Sequence, residues 1–126
     1  MVNKMKKGFT LIELLIVVVI VGILALAAIP LITSNTRDAR RAEGEQLLGS
    51  ARDATRVQYS KNGTAPATIS SFQTLSGFEG KYFKIVDTIT STATTGAIST
   101  NAGAGSDGTG TITFQWASGQ STIAWA

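Results

Sequence analysis

The sequence predicts an α+β fold: a long N-terminal helix whose second half packs on a small C-terminal antiparallel β-sheet. Three observations predict it. No charged residue lies between Glu13 and Arg37, so the first stretch is one continuous apolar helix. From Thr33 to about Ser60, apolar side chains recur at spacings of three and four, the period of an amphipathic helix. Beyond Gly80 the pattern changes to alternation, as in strands with one buried face.

A chain of 126 residues accommodates one domain and one membrane segment, because a single core takes roughly 100 to 200 residues. Composition divides it into a basic octapeptide, 1–8, an apolar helix, 9–32, an amphipathic helix, 33–61, and a β-rich domain, 62–126. The net charge of +3 resides in Lys4, Lys6 and Lys7. From Phe9 onward eight basic side chains balance eight acidic ones, which leaves no large electrostatic footprint for nucleic acid. Cysteine and histidine are both absent. That excludes disulfides, thiolate or imidazole metal sites and the usual histidine base, so no metal, cofactor or catalytic constellation is expected.

Leu14 to Ile29 is apolar all round apart from Gly22, and such a helix requires lipid or other apolar helices on every side. The flanking cations leave its orientation open, since Lys4, Lys6 and Lys7 are matched by Arg37, Arg40 and Arg41. A short basic N-terminus is easier to retain than about ninety following residues, which favours N-terminus inside. A secretory signal peptide is the competing reading, with Ala25-Leu26-Ala27 as its small-residue site. Glu13 opposes it, because a plain signal has no use for an acid within its apolar run.

The run Lys7-Gly8-Phe9-Thr10-Leu11-Ile12-Glu13-Leu14-Leu15-Ile16-Val17, extended by Pro30, resembles the prepilin signature of type IV pilins and of the related type II secretion pseudopilins. A weaker similarity, to the helix-ending turn of many pilins, lies at residues 59–66. The resemblance implies the pilin fold, with a kinked N-terminal helix. It implies removal of residues 1–8 by an inner-membrane prepilin peptidase cutting between Gly8 and Phe9, and N-methylation of Phe9 by the same enzyme. It further implies a homo-oligomeric helical filament on the cell surface, used in twitching motility, adhesion or DNA uptake. An assembly platform and minor pilins are then partners, and the inner membrane holds the precursor. A secretion pseudopilin, or a minor pilin that binds DNA or a surface, is the alternative. Two departures from the family bear on this: no disulfide bounds the last loop, and the acidic calcium loop of major pseudopilins is missing.

Glu13 becomes intelligible in that setting. In staggered parallel helices its carboxylate meets the Phe9 amine of a neighbouring subunit, offsetting the desolvation of both charges and specifying register. Such contacts are head-to-tail and propagate as a fibre. A snorkelling acid near the headgroups is the plainer account. Pro30 has no amide to donate, so a kink or local opening is expected between Leu26 and Pro30, with Gly22 two turns earlier as a second weak point.

Past Pro30, Leu47, Leu48, Ala51, Ala54 and Val57 form the expected buried stripe. Arg40 with Glu43, and Arg41 with Glu45, are spaced for exposed pairs. Gly44 and Gly49 each weaken the helix by about 1 kcal/mol relative to alanine. Asn62-Gly63 stops it. A short helical turn is expected within Thr68–Leu75. Phe83, Ile85 and Ile89, then Ile112, Phe114 and Trp116, then Ile123 and Trp125 read as inward faces of strands, with Ala117 to Gln120 as a hairpin turn. The tryptophans are therefore core. Thr90 to Gly110, almost all small and polar, is expected to form exposed loops with at most an extra edge strand. Its glycines lack the lysine and helix of a phosphate loop, and Asp87 with Asp107 is too few for calcium.

Overall fold

A computed structural model describes residues 7–102 and 107–126. Lys4, Lys6 and residues 103–106 of the glycine-rich run lie outside the described residues. The chain separates into two compact units, dividing between Thr36 and Arg37.

The first unit is helical from Leu11, where the helix α1 (Leu11–Asn62) begins. Leu14 through Ile32 has no large side chain covered by its own chain: each is at least half exposed. Pro30 sits inside the helix, and helical geometry continues on both sides of it, so the local opening expected there is not part of this structure. The Thr33 hydroxyl donates to the Pro30 carbonyl at 3.0 Å, adding a local bond next to the position where proline supplies none.

The second unit packs residues 37–62 of α1 against a sheet. Gly44, Leu48, Ala51 and Thr55 are its buried positions, at the spacings of four and three that one helix face requires. Leu48 and Ala51 were expected there, and Leu47 and Ala54 pack at the margin. Val57 departs from the expectation: it is 54% exposed. The stripe is rotated toward Gly44 and Thr55, and the Thr55 hydroxyl is buried without penalty because it donates to the Ala51 carbonyl at 2.7 Å. Gly63 ends the helix with φ +70°, its amide donating to the Tyr59 carbonyl at 2.8 Å, an αL cap that a side chain would strain.

In the connection, a single turn closes within Thr68–Leu75, where the carbonyl of buried Ile69 takes the Phe72 and Gln73 amides while its amide is given to the Asp87 carbonyl. A separate 3-10 turn follows at Leu75–Phe78.

Five strands follow: β1 (Phe83–Ile85), β2 (Thr90–Ser91), β3 (Thr95–Ala102), β4 (Gly110–Gln115) and β5 (Ser121–Trp125). All pairings are antiparallel, in the order β1-β3-β4-β5, with β2 sharing the β1 edge of β3. The 117–120 hairpin forms as expected, Gly119 adopting φ +74° and the Gln115 amide donating to Gln120.

β3 is the main correction to the sequence reading. The stretch expected as loop is the longest strand and lies between β4 and the β1/β2 edge. Ile98 and Thr100 are fully buried, and Gly96 lies beneath the Phe114 and Trp116 rings. The inward face is thus made of a glycine, one isoleucine and a threonine, whose period of two is invisible to a hydrophobic scan. Around it pack Leu48, Ile69, Ile85, Ile112, Phe114 and Trp116, with Tyr59 stacked on Trp116 at 4.7 Å between ring centres.

The charges of α1 are also committed differently. Arg40 pairs with the Asp107 carboxylate at 3.1 Å, and Glu43 accepts the Tyr82 amide at 2.8 Å. Arg41 donates to the Asp107 carbonyl, while Glu45 accepts from the Trp125 indole. The expected neighbours on the helix instead bind the approach to β1, the Asp107 segment and Trp125 of β5, all at one end of the sheet.

Candidate assembly site

Lys7 to Thr10 precede the helix and are exposed. The Gly8–Phe9 peptide bond therefore lies in non-helical, accessible chain, the form in which proteases receive substrates. Phe9 is 91% exposed. Apart from its chain neighbours, no described residue lies within 4 Å of where a side chain on Gly8 would begin.

Glu13 stands in the first turn, and its surroundings show a residue the sequence reading left without a role. Its carboxylate oxygen Oε2 accepts the Thr10 amide at 2.9 Å and the Thr10 hydroxyl at 3.0 Å, while the Glu13 amide faces the Thr10 hydroxyl at 3.4 Å. This is a capping box, in which a threonine at the N-cap and a glutamate three residues on satisfy each other's free amides. The signal was present in the sequence as T-x-x-E ahead of an apolar run. Both side-chain bonds fall on Oε2, and among the described residues Oε1 accepts none. The glutamate is oriented by its own chain and retains an acceptor for another molecule.

Beside it, Phe9, Glu13, Leu14, Ile16 and Val17 line an open, mostly apolar groove. Gly22 presents bare backbone, and beyond its own stretch of helix no described residue lies within 4 Å of where a side chain on it would begin. The structure thus brings Phe9 and Glu13 to one groove, and leaves Gly22 and Pro30 further along the uncovered helix.

Residues 3–29 match the profile of the prokaryotic N-terminal methylation motif. The chain is 40% identical over 87 residues to a fimbrial protein of Neisseria meningitidis serogroup B, an alignment spanning 68% of this chain and 51% of that one. It is 40% identical over 86 residues to the type IV major pilin protein PilE of Neisseria gonorrhoeae, spanning 67% and 52% respectively.

The chain belongs to the type IV pilin family.

It is also 35% identical over 98 residues to the fimbrial protein EcpC of Eikenella corrodens, covering 78% of this pilin and 63% of that protein. The pilin thus spans between half and two thirds of the length of these curated relatives. The one long helix and small antiparallel sheet agree with the pilin fold. The methylation motif ends one residue short of Pro30, so it covers Gly8, Phe9 and Glu13 and nearly all of the uncovered helix.

Proposed function

We propose that the chain is the structural subunit of a type IV pilus, a non-catalytic protein that polymerises through its N-terminal helix into an extracellular filament. The observation that carries this reading is the helix surface from Leu14 to Ile32, which no described residue covers, preceded immediately by one oriented acid, Glu13. A helix apolar on all sides is stable only in lipid or among other apolar helices. As a precursor the protein spans the inner membrane with its N-terminus inside. A prepilin peptidase removes residues 1–8 and N-methylates Phe9. An assembly platform and minor pilins then bring subunits together, and residues 9–32 form the filament core.

In that core the free oxygen Oε1 of Glu13 accepts the Phe9 amine of a neighbouring subunit, while Oε2 stays with Thr10. Pairing supports burial of both charges. Gly22 and Pro30 bound the interval where the helix yields during packing, since one lacks a side chain and the other an amide. The filament serves motility, adhesion or DNA uptake.

Intact mass and N-terminal sequencing of filaments sheared from cells test the proposal. N-methylated Phe9 as the first residue is the expected result. A soluble monomer beginning near Ala28 would overturn it.

A further inference from the structure

The two edges of the sheet are built differently. On one side β3 is covered by β1 and β2, of three and two residues, with exposed Lys84 in β1. Short strands and lysine are the usual protection against pairing with a further chain. The other edge is β5, Ser121–Trp125, with no charge, proline or glycine. Its first four residues are exposed.

The ladder shows which of its backbone groups are free. Thr109 and Ala126 exchange both amide bonds, and hydrogen-bonded pairs alternate along an antiparallel ladder. Thr111 with Ala124 and Thr113 with Thr122 are therefore the bonded pairs of the registered strands. Ser121, Ile123 and Trp125 direct their amides and carbonyls away from β4, and among the described residues these groups have no backbone partner.

Two charges of α1 flank this edge, and among the described residues neither has an ion-pair partner. At the Trp125 end, Glu45 accepts the indole N–H at 3.2 Å. Arg41 lies over the Trp125 ring at that end, but its Nε is given to the Asp107 carbonyl. At the other end, Arg52 reaches the Ser121 hydroxyl while paired with Asp53. Arg56 packs beside Gly119 with its Nε buried and unbonded. Eleven residues separate Glu45 from Arg56, close to three turns, so they share one side of the helix.

We infer that β5 is a docking edge for β5 of a second copy of this chain, in an antiparallel two-fold contact centred on Ile123. Ser121 then pairs with Trp125 of the second copy, and Ile123 with its own equivalent. The same operation carries Arg56 to the Glu45 end of the other molecule, and Glu45 to the Arg56 end. One continuous ladder and two reciprocal ion pairs form together. The uncharged strand adds no repulsion, since like charges placed opposite each other would oppose self-pairing. A two-fold contact cannot join neighbours in a polar filament, whose subunits all point one way. Resting on the filament reading above, the contact is therefore lateral, linking two filaments side by side in opposite directions.

The chain has no cysteine, so Ile123→Cys introduces a single thiol at the proposed axis. A hydrogen-bonded antiparallel pair sets the two Cα atoms about 5.5 Å apart, within disulfide reach. Mild oxidation of purified filaments carrying this variant is expected to give a disulfide-linked dimer, whereas Ser71→Cys, exposed elsewhere, gives none. The same oxidation in detergent-solubilised subunits reads the contact when no filament is present, which separates failure of this inference from failure of the filament reading. Glu45→Arg should abolish both the cross-link at position 123 and side-by-side bundles in electron micrographs. The double variant Glu45→Arg, Arg56→Glu should restore both. Absence of a cross-link at position 123 in filaments and in detergent alike overturns the inference, as does failure of the double variant to rescue.

Discussion

Gly44 and Gly49 lie five residues apart in the same helix, and the sequence gives both the same significance, a local weakness of about 1 kcal/mol relative to alanine. The structure separates them. At Gly49 an added Cβ meets nothing within 4 Å, so Gly49→Ala should recover the full helix-propensity gain of about 1 kcal/mol. At Gly44 the same atom would lie 2.7 Å from Cη2 of Trp125 and 3.2 Å from the ring of Phe83. Phe83 is fully buried, and Trp125 is held by the Glu45 carboxylate, by edge contact with Phe83 and by Arg41 above it. Overpacking such a site costs about 1 to 3 kcal/mol, which exceeds or cancels the propensity gain. Gly44→Ala should therefore leave the protein between unchanged and about 2 kcal/mol less stable. A difference of about 2 kcal/mol between the two variants corresponds to about 8 to 16 °C in Tm for a domain of this size. Thermal unfolding of the full-length protein in detergent, followed by fluorescence of Trp116 and Trp125, measures it. If Gly44→Ala stabilises as much as Gly49→Ala, the contact between α1 and β5 is not as described.

Three further outcomes follow from particular bonds. Glu13→Gln preserves the capping box, since glutamine fills its third position equally well, but removes the charge; both it and Glu13→Ala should be cleaved after Gly8 and fail to assemble, and normal filaments from Glu13→Gln would reduce the acid to a helix cap. Thr100 is buried, and its hydroxyl accepts the Gly110 amide at 2.9 Å where the β3–β4 main-chain register has ended at Ser99 and Thr111; Thr100→Val should strand that amide and cost about 1 to 3 kcal/mol, measurable by the same unfolding assay, with an unchanged Tm as the contrary result. The Ser70 amide and hydroxyl, each 2.7 Å from the Asp87 carboxylate, hold its pKa below the usual carboxylate range. Because the folded pKa is the lower one, the stabilisation is complete above about pH 4 and disappears as pH falls through the folded value, so Asp87→Asn should lower Tm at neutral pH, leave the most acidic end nearly unchanged and thereby flatten the acid limb of a Tm-against-pH curve.

Much of this was legible because single residues carry strong local rules. Gly63 after Asn62 ends the helix, Gly119 turns the last hairpin, and Trp116 lies in the core where alternation places it. β3 was not legible, since a strand is recognised by large apolar side chains and this one has Ile98 alone. Its neighbours supply the bulk: Phe114 and Trp116 fill the space above Gly96, and Thr100 completes a ladder with its hydroxyl. The charges misled for a similar reason. Helical spacing offers Arg40 to Glu43, but an exposed pair of that kind contributes only about 0.2 to 0.5 kcal/mol, whereas accepting the Tyr82 amide satisfies a donor that would otherwise be partly buried. At the assembly site Thr10-x-x-Glu13 ahead of an apolar run is a capping-box pattern, and the acid serves its own chain through one oxygen while keeping the other free.

The N-terminal helix poses a problem of direction that its apolar surface cannot solve. Lipid tails and the leucine, isoleucine and valine of other copies are nearly equivalent surroundings for residues 14–32, so transfer from membrane to filament core gains little from the hydrophobic effect. Whatever biases the exchange toward copies of the chain has to act on a group that distinguishes the two environments. Within residues 9–32 Glu13 is the one charged side chain, and its orientation by Thr10 is already complete before a second molecule arrives. Lipid tails offer its free oxygen no donor, whereas on the proposed reading a processed neighbour offers an amine. On that reading processing is more than removal of a leader, because an uncleaved chain has an amide at Phe9 in place of a charged amine and cannot complete the pair. A precursor that retains residues 1–8 should accumulate in the membrane with its helix fully formed and still fail to leave it.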